Sequence, residues 1–422
     1  MLRTGRSGIC AALTGICAVV ASVIALLYLP LPFAWIFLLW AVALAVVAAI
    51  TSVGRALSIN VAAVFLALTI FEGYLWLSGS HHSDIRKVSE IAPPLYEPHE
   101  TLGWALNPGI VARHEVSIDD EPAYGATYTI GLNGLRISSP FDEDREPAHE
   151  CLLFFGGSFM FGQGLEDHET LASLVSARSK NRYRTHNFGV MGYGAHHMLS
   201  AMQHGLVEDA VDCDRSRVSH VIYLAIPDHV RRAIGQWPRG WPGPKYHLTE
   251  DGGVRFDGLF GDEGRSNDNR SWKQLFINQI SRSSIYGSLN FEKYFSRYGQ
   301  HLVRFYLTII GEARNLASTK YPDVEFHVLL WDEDGVDSRS IVEGLEDRGI
   351  AVHLMSRILP EYRADGFNPS YQLHQHDGHP NAFANELIAQ YVMDEILPEV
   401  PKRGGLEQHS IRRDRLQRSP SG

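Results

Sequence analysis

The sequence is poor in cysteine and short of positive charge. Four cysteines in 422 residues are too few for a disulfide scaffold, and two of them, Cys10 and Cys17, fall in an apolar N-terminal segment. Lys and Arg number 38 against 48 Asp and Glu, a formal net charge of −10. No basic stripe interleaved with aromatics runs along the chain, so no nucleic-acid partner is expected. Two phosphate-binding signatures are missing as well. The Gly-rich stretch around Gly157 lacks the lysine of a Walker loop and the spacing of a dinucleotide fingerprint, which makes phosphate cradling the weaker functional reading.

Apolar residues are plentiful, at 45%, but unevenly spread. Three apolar stretches, roughly 8–29, 33–50 and 57–77, each approach the ~20 residues a helix needs to cross a bilayer. Leu29-Pro30-Leu31-Pro32 and Thr51-Ser52-Val53-Gly54-Arg55 suit turns between antiparallel spans. The first stretch is too long for an ordinary signal-peptide core, and two more follow it. Arg3, Arg6 and Arg55 belong inside by the positive-inside rule, with Tyr74 and Trp76 near the exit interface. The expectation is a three-helix inner (plasma) membrane anchor over 1–80, with everything after Trp76 extracytoplasmic, and periplasmic in a Gram-negative source.

The remainder has the composition of a soluble domain. Residues 81–150 read as a linker, polar over His81–Pro94, and a small β module with a turn at Asn133-Gly134. From 151 to 400, short apolar runs at 152–156, 185–188, 218–226, 324–330 and 350–354 alternate with amphipathic helical segments. That pattern predicts an α/β fold, a doubly wound parallel five-stranded sheet of order 2-1-3-4-5 with helices on both faces. An insertion at about 235–290 carries Trp237, Trp241 and Trp272 and a hairpin around Asp251-Gly252. It is read as a crevice cover or a docking surface. The tail, 401–422, has six Lys or Arg against two Asp or Glu and is expected to be disordered and solvated. If the sheet order holds, Cys151 and Cys213 precede neighbouring strands, and in an oxidising compartment they could pair.

Two stretches carry chemistry. In the first, the apolar run Leu152–Phe155 ends in Gly156-Gly157, and Ser158 follows at the carboxyl edge where such sheets bind ligands. Ser158 alone reads equally as a helix cap or a nucleophile. The second is His374-Gln375-His376-Asp377-Gly378-His379-Pro380-Asn381-Ala382. A helix start, with Asp377 or His379 as cap and Pro380 opening the helix, explains the proline but not an acid and a histidine together. A hydroxyl nucleophile needs a base within hydrogen-bond reach, and the base needs a carboxylate to hold its tautomer.

With these residues the chain resembles the SGNH (GDSL-type) hydrolase superfamily, in its membrane-anchored bacterial form, over about 96–397. Gly156-Gly157-Ser158 resembles the nucleophile block, with glycine where Gly-Asp-Ser is usual. Asn187-Phe188-Gly189-Val190-Met191-Gly192 resembles the second block, and Asp377-Gly378-His379-Pro380 the last. Tyr96-Glu97-Pro98, Leu102-Gly103-Trp104 and Gly134-Leu135-Arg136 are similar to the segment that precedes the nucleophile. The resemblance implies Ser158 as nucleophile, His379 as base, Asp377 as its orienter and Gly192 as a backbone oxyanion donor. It implies no metal and no organic cofactor.

Two departures stand out. Ala225-Ile226-Pro227-Asp228 lacks the oxyanion-hole asparagine of the third block, and Pro227 has neither side-chain donor nor N–H. His229 and Arg232 are the nearby polar side chains that could fill in. Acid and base are two positions apart instead of three, and the residue three before the base is His376. That spacing leaves a triad and a Ser158–His379 dyad both open. The leading function is an extracytoplasmic serine esterase acting on an ester-bearing glycan or lipid of the cell envelope. The alternatives are an O-acyltransferase on an envelope glycan and a catalytically inactive glycan- or lipid-binding protein.

Overall fold

Two apolar helices, Phe33–Ile50 and Arg55–Leu77, open the described part of the chain. The computed structural model describes residues 33–50, 55–77, 86–138, 150–180, 182–236, 242–261, 285, 298–362 and 368–397. The first expected span, the basic tail and the three tryptophans of the insertion lie outside them. Among the described residues one helix, over Arg55–Leu75, is long and apolar enough to cross a membrane, and the apolar stretch Ala34–Ala49 is shorter. The three-helix anchor is therefore not reproduced as expected. Phe65 packs on Phe37 and Trp40, at centroid distances of 6.2 and 6.1 Å. Trp35, Leu57, Ile59, Ile70 and Tyr74 instead face outward. The chain divides into two compact units, Met1–Lys87 with Gly261–Arg297 and Gly335–Asp337, and Val88–Phe260 with Tyr298–Asp334 and Ser338–Gly422.

The second unit begins with short strands: β1 (Lys87–Ala92), β2 (Tyr96–His99), β3 (Gly103–Leu106), β4 (Val111–Ile118) and β5 (Glu121–Thr129). β2 pairs with β3, while β1, β4 and β5 form a three-stranded sheet. β4 buries Ala112, His114, Val116 and Ile118 and leaves Val111, Arg113 and Glu115 outside, the period of two that a half-buried strand requires. A strand stands at β1 where a polar linker was expected. Its side chains are nearly all exposed, so its composition reads as linker although its backbone pairs.

Next come β6 (Glu150–Gly156), β7 (Tyr183–Gly189) and β8 (Val218–Ala225). After the antiparallel hairpin of β9 (Pro244–Leu248) and β10 (Val254–Leu259) follow β11 (Glu325–Leu330) and β12 (Ala351–Leu354). The main sheet has the order β12-β11-β8-β6-β7, with every pair parallel. Counted along the chain this is 2-1-3-4-5, as expected. Alternation along each strand feeds two cores. Leu153, Phe155, Val221, Tyr223 and Val328 meet helices Ala195–Gln203 and Gln300–Lys320 on one face. Leu152, Phe154, Ile222, Leu224 and Leu329 meet helices Leu171–Arg178 and Ala382–Tyr391 on the other. Both faces are covered, which is why the strands read as continuous apolar runs. Cys151 and Cys213 form a disulfide, with Cα atoms 6.6 Å apart.

The chain end differs from the expectation in one respect. Pro380 does not open the last helix. It closes β14 (Asp377–Pro380), which pairs antiparallel with β13 (Gln372–His374). Asn381 is the cap instead, its side chain accepting from the Ala384 N–H at 3.0 Å. The hairpin keeps Asp377–Pro380 extended, so the cap falls at Asn381, two residues after His379.

Candidate active site

Ser158 stands where β6 ends. A short helix, Ser158–Phe161, starts at once, and Gly157 keeps its backbone close to three neighbours. A Cβ on Gly157 would lie 2.8 Å from Arg232 Nη1, 2.9 Å from the Tyr193 carbonyl and 3.0 Å from His229 Nε2. The turn is braced from two sides. Asn187 at the end of β7 donates to the Met160 carbonyl at 3.1 Å and accepts from the Gly189 N–H at 2.9 Å. Arg136, fully buried, donates to the carbonyls of Phe161, Gly162 and Leu165 and pairs with Asp167 at 2.9 Å. The Gly134-Leu135-Arg136 motif thus clamps the end of the turn that carries Ser158.

Ser158 does not cap a helix. Its Oγ lies 2.8 Å from His379 Nε2, and His379 Nδ1 donates to Asp377 Oδ1 in a short hydrogen bond. Both partners lie on β14, two residues apart, and side chains two apart on a strand share a face. This resolves the spacing question: an extended backbone brings acid and base together at two positions. The same Asp377 oxygen accepts from the His379 backbone N–H at 3.2 Å. Its other oxygen accepts from Tyr124 Oη of β5 at 2.7 Å, and Gln163 Nε2 donates to Tyr124 Oη at 3.1 Å. Burial, with the Asp377 carboxylate beside it, pushes the Tyr124 phenol well up, so it remains a donor. Asp377 is 3% exposed and His379 is partly open to solvent, its ring 5.1 Å from that of Phe159. His376 is exposed and takes no part in this set.

On the far side of Ser158 lies a second group. Gly192, at φ +93, sits in the tight turn in which the Tyr193 N–H reaches the Val190 carbonyl at 3.0 Å. It directly precedes Tyr193, whose carbonyl accepts from Arg232 Nη1 at 2.8 Å. Asp228 holds Arg232 through Nε at 3.1 Å. His229 is 1% exposed; its Nδ1 is 2.6 Å from Tyr223 Oη, and its Nε2 is buried without a hydrogen-bond partner. Burial, reinforced by the Arg232 charge, holds His229 well below its ordinary pKa, so its ring is neutral. The glycine at position 157 and the missing asparagine are therefore linked. The space that a side chain at Gly157 would need is occupied by Arg232 and His229, which follow the missing asparagine.

Sequence reasoning missed Tyr124 altogether, because nothing near it in the chain relates it to Asp377, 253 residues away. It also missed His196 and His197, which are buried beside Arg232 and His229. A cavity of about 360 Å³, lined by Phe155, Phe188, Val190, His197 and Met198 among others, opens nearby. Neither Ser158 nor His379 lines it.

A serine, a histidine and an aspartate hydrogen-bonded in series at the carboxyl edge of a doubly wound parallel sheet are an arrangement that can support acyl transfer. No family model and no curated protein matches the chain. Among solved structures it is similar to the acetyl xylan esterase Est2A from the rumen bacterium Butyrivibrio proteoclasticus, at 12% identity and TM-score 0.34, over 60% of this chain and 65% of that one. It is also similar to Axe2, an acetylxylan esterase from Geobacillus stearothermophilus, at 10% identity and TM-score 0.33, over 60% and 96%. A GDSL-like lipase from Bacteroides thetaiotaomicron matches at 11% identity and TM-score 0.30, over 62% and 92%. At such identities and scores the likeness carries no argument about activity or substrate.

Proposed function

We propose that the chain is a membrane-anchored, extracytoplasmic serine esterase of SGNH type. The observation that carries this reading is Ser158 Oγ at 2.8 Å from His379 Nε2, with His379 Nδ1 held by Asp377. Ser158 Oγ attacks the ester carbonyl while His379 Nε2 takes its proton. Asp377 keeps the proton on Nδ1 and stabilises the imidazolium that forms; Tyr124 and the His379 N–H keep Asp377 in place. The negative charge on the former carbonyl oxygen is met by the Ser158 and Gly192 N–H groups and by His229 Nε2–H. His229 replaces the asparagine that Pro227 cannot imitate. Its Nδ1 accepts from Tyr223 Oη, which leaves the proton on Nε2. Collapse of the tetrahedral intermediate expels the alcohol, protonated by His379, and water then resolves the acyl-serine by the same steps in reverse.

The location belongs to the same proposal. Supporting it are the apolar helix Arg55–Leu75, the outward apolar side chains of both N-terminal helices, and the Cys151–Cys213 disulfide, which suits an oxidising compartment. The substrate class that follows is an ester-bearing glycan or lipid of the cell envelope. Fluorophosphonate labelling of the full chain in membranes tests the chemistry. Covalent modification at Ser158, lost in Ser158→Ala and His379→Ala, is expected; folded protein that never labels would reduce the crevice to a binding site. A reporter fused after residue 90 is expected to be active only in its exported form, and a cytoplasmic signal would overturn the location.

A further inference from the structure

At the amino-terminal rim of the main sheet, away from Ser158, β8 and β11 lie side by side with Glu325 opposite His220. Paired residues of parallel strands share a face, as do residues two apart. His220, Glu325 and His327 therefore project together, and one ligand-type atom from each lies within 4.8 Å of the other two. The rings of His220 and His327 are stacked at 5.6 Å and are 8% and 7% exposed, while the Glu325 side chain is 65% exposed.

His327 Nε2 is buried and makes no hydrogen bond. It faces Glu325 Oε2 at 3.4 Å. Two ligands on a tetrahedral zinc, each about 2.0–2.1 Å from the metal, stand about 3.4 Å apart. The other ring nitrogen, Nδ1, lies 3.1 Å from His353 Nε2, and His353 Nδ1 lies 2.9 Å from Tyr391 Oη. With each N–H donated outward along that series, the Nε2 lone pair of His327 points into the cluster. Ligating histidines are commonly held by such an outer hydrogen bond.

We propose that His220, Glu325 and His327 bind a zinc ion, with His353 and Tyr391 fixing the orientation of His327. Two imidazoles and a carboxylate suit zinc and leave a fourth position for water on the exposed side of Glu325. His220 precedes by four residues Leu224, the partner of Gly156, about 13 Å along the strand at the usual rise. The ion is therefore separate from the acyl chemistry, and the proposal does not depend on the esterase reading. It would tie the starts of β8 and β11 together.

The full chain in detergent, stripped with a chelator, is titrated with zinc against a chromophoric chelator and, separately, with cobalt. One zinc equivalent held by the wild type and lost in Glu325→Gln and His327→Gln is expected, with the visible cobalt band lost in the same variants. Glu325 is exposed, so its variant tests the site even where His327→Gln misfolds. His353→Phe is expected to weaken zinc binding about 10–100-fold. Equal zinc binding by wild type and Glu325→Gln, or none by the folded wild type, overturns the site.

Discussion

On one side of Ser158, His379 Nε2 meets the serine hydroxyl, His379 Nδ1 meets Asp377, and Asp377 is held by Tyr124 and a backbone N–H. Beside Gly157, His229 is buried and keeps its Nε2 without a hydrogen-bond partner. The contrast follows from what the two sides do in the proposed reaction. A proton must travel along a fixed path, so its donors and acceptors are paired beforehand. An oxyanion forms only during the reaction, and the donors that favour it most are those with nothing to bind in the ground state. Burial also keeps His229 neutral, so it can act as a dipole without carrying charge.

The largest expected effect falls on the paired side. Ser158→Ala and His379→Ala are each expected to lower kcat by about 10⁴–10⁶-fold on a simple aryl ester, with thermal unfolding unchanged. Near-normal turnover in His379→Ala would break the assignment of that side. On the unpaired side, His229→Leu is expected to lower kcat by about 10²–10³-fold with little change in KM, the loss typical of one oxyanion donor. Gly157→Ala pushes a methyl into Arg232 Nη1 and His229 Nε2, so it should damage the same function. The double variant is then expected to lose less than the two single losses combined; full additivity would separate Gly157 from His229.

Smaller effects sharpen the contrast. Tyr124→Phe removes one donor from a carboxylate, a hydrogen bond in the range of ~1.5–3 kcal/mol. About a tenfold fall in kcat/KM is expected, and an unchanged pH profile and rate would show that Asp377 is held without it. The mildest effect is on stability. Burial holds His196 at about 3 and His186 at about 4, below the ~6.5 of an exposed ring. The unfolded chain therefore takes up protons first as pH falls. Stability is full above about pH 6.5 and declines from there toward pH 4. The unfolding midpoint should drop between pH 7.5 and 5, less steeply in His196→Gln. A midpoint that rises over that range would mean these rings are charged in the folded protein.

Much of the α/β unit was legible in the chain. Short apolar runs separated by amphipathic helices leave few ways to bury both, and the doubly wound sheet appeared with the expected order. Ser158 was legible at a strand end beside glycine, and Asp377 and His379 as an acid and a histidine together in one short stretch, which the structure places on β14. The linker was misread because β1 pairs through its backbone and shows solvent an ordinary polar sequence. The last helix was misplaced by two residues because Pro380 suits a helix start and a strand end equally.

What the sequence by itself determined was the order of strands and helices, since hydrophobic periodicity is a local property of the chain. Only the tertiary structure decided which distant side chains meet. Tyr124 reaches Asp377 because β5 lies against the β13–β14 hairpin, and His229 reaches Gly157 because the helix after β8 packs behind the nucleophile turn. His220 meets His327 only through the register of two parallel strands. Such meetings depend on strand pairing and helix packing between residues far apart in the chain, and no local pattern of residues encodes them.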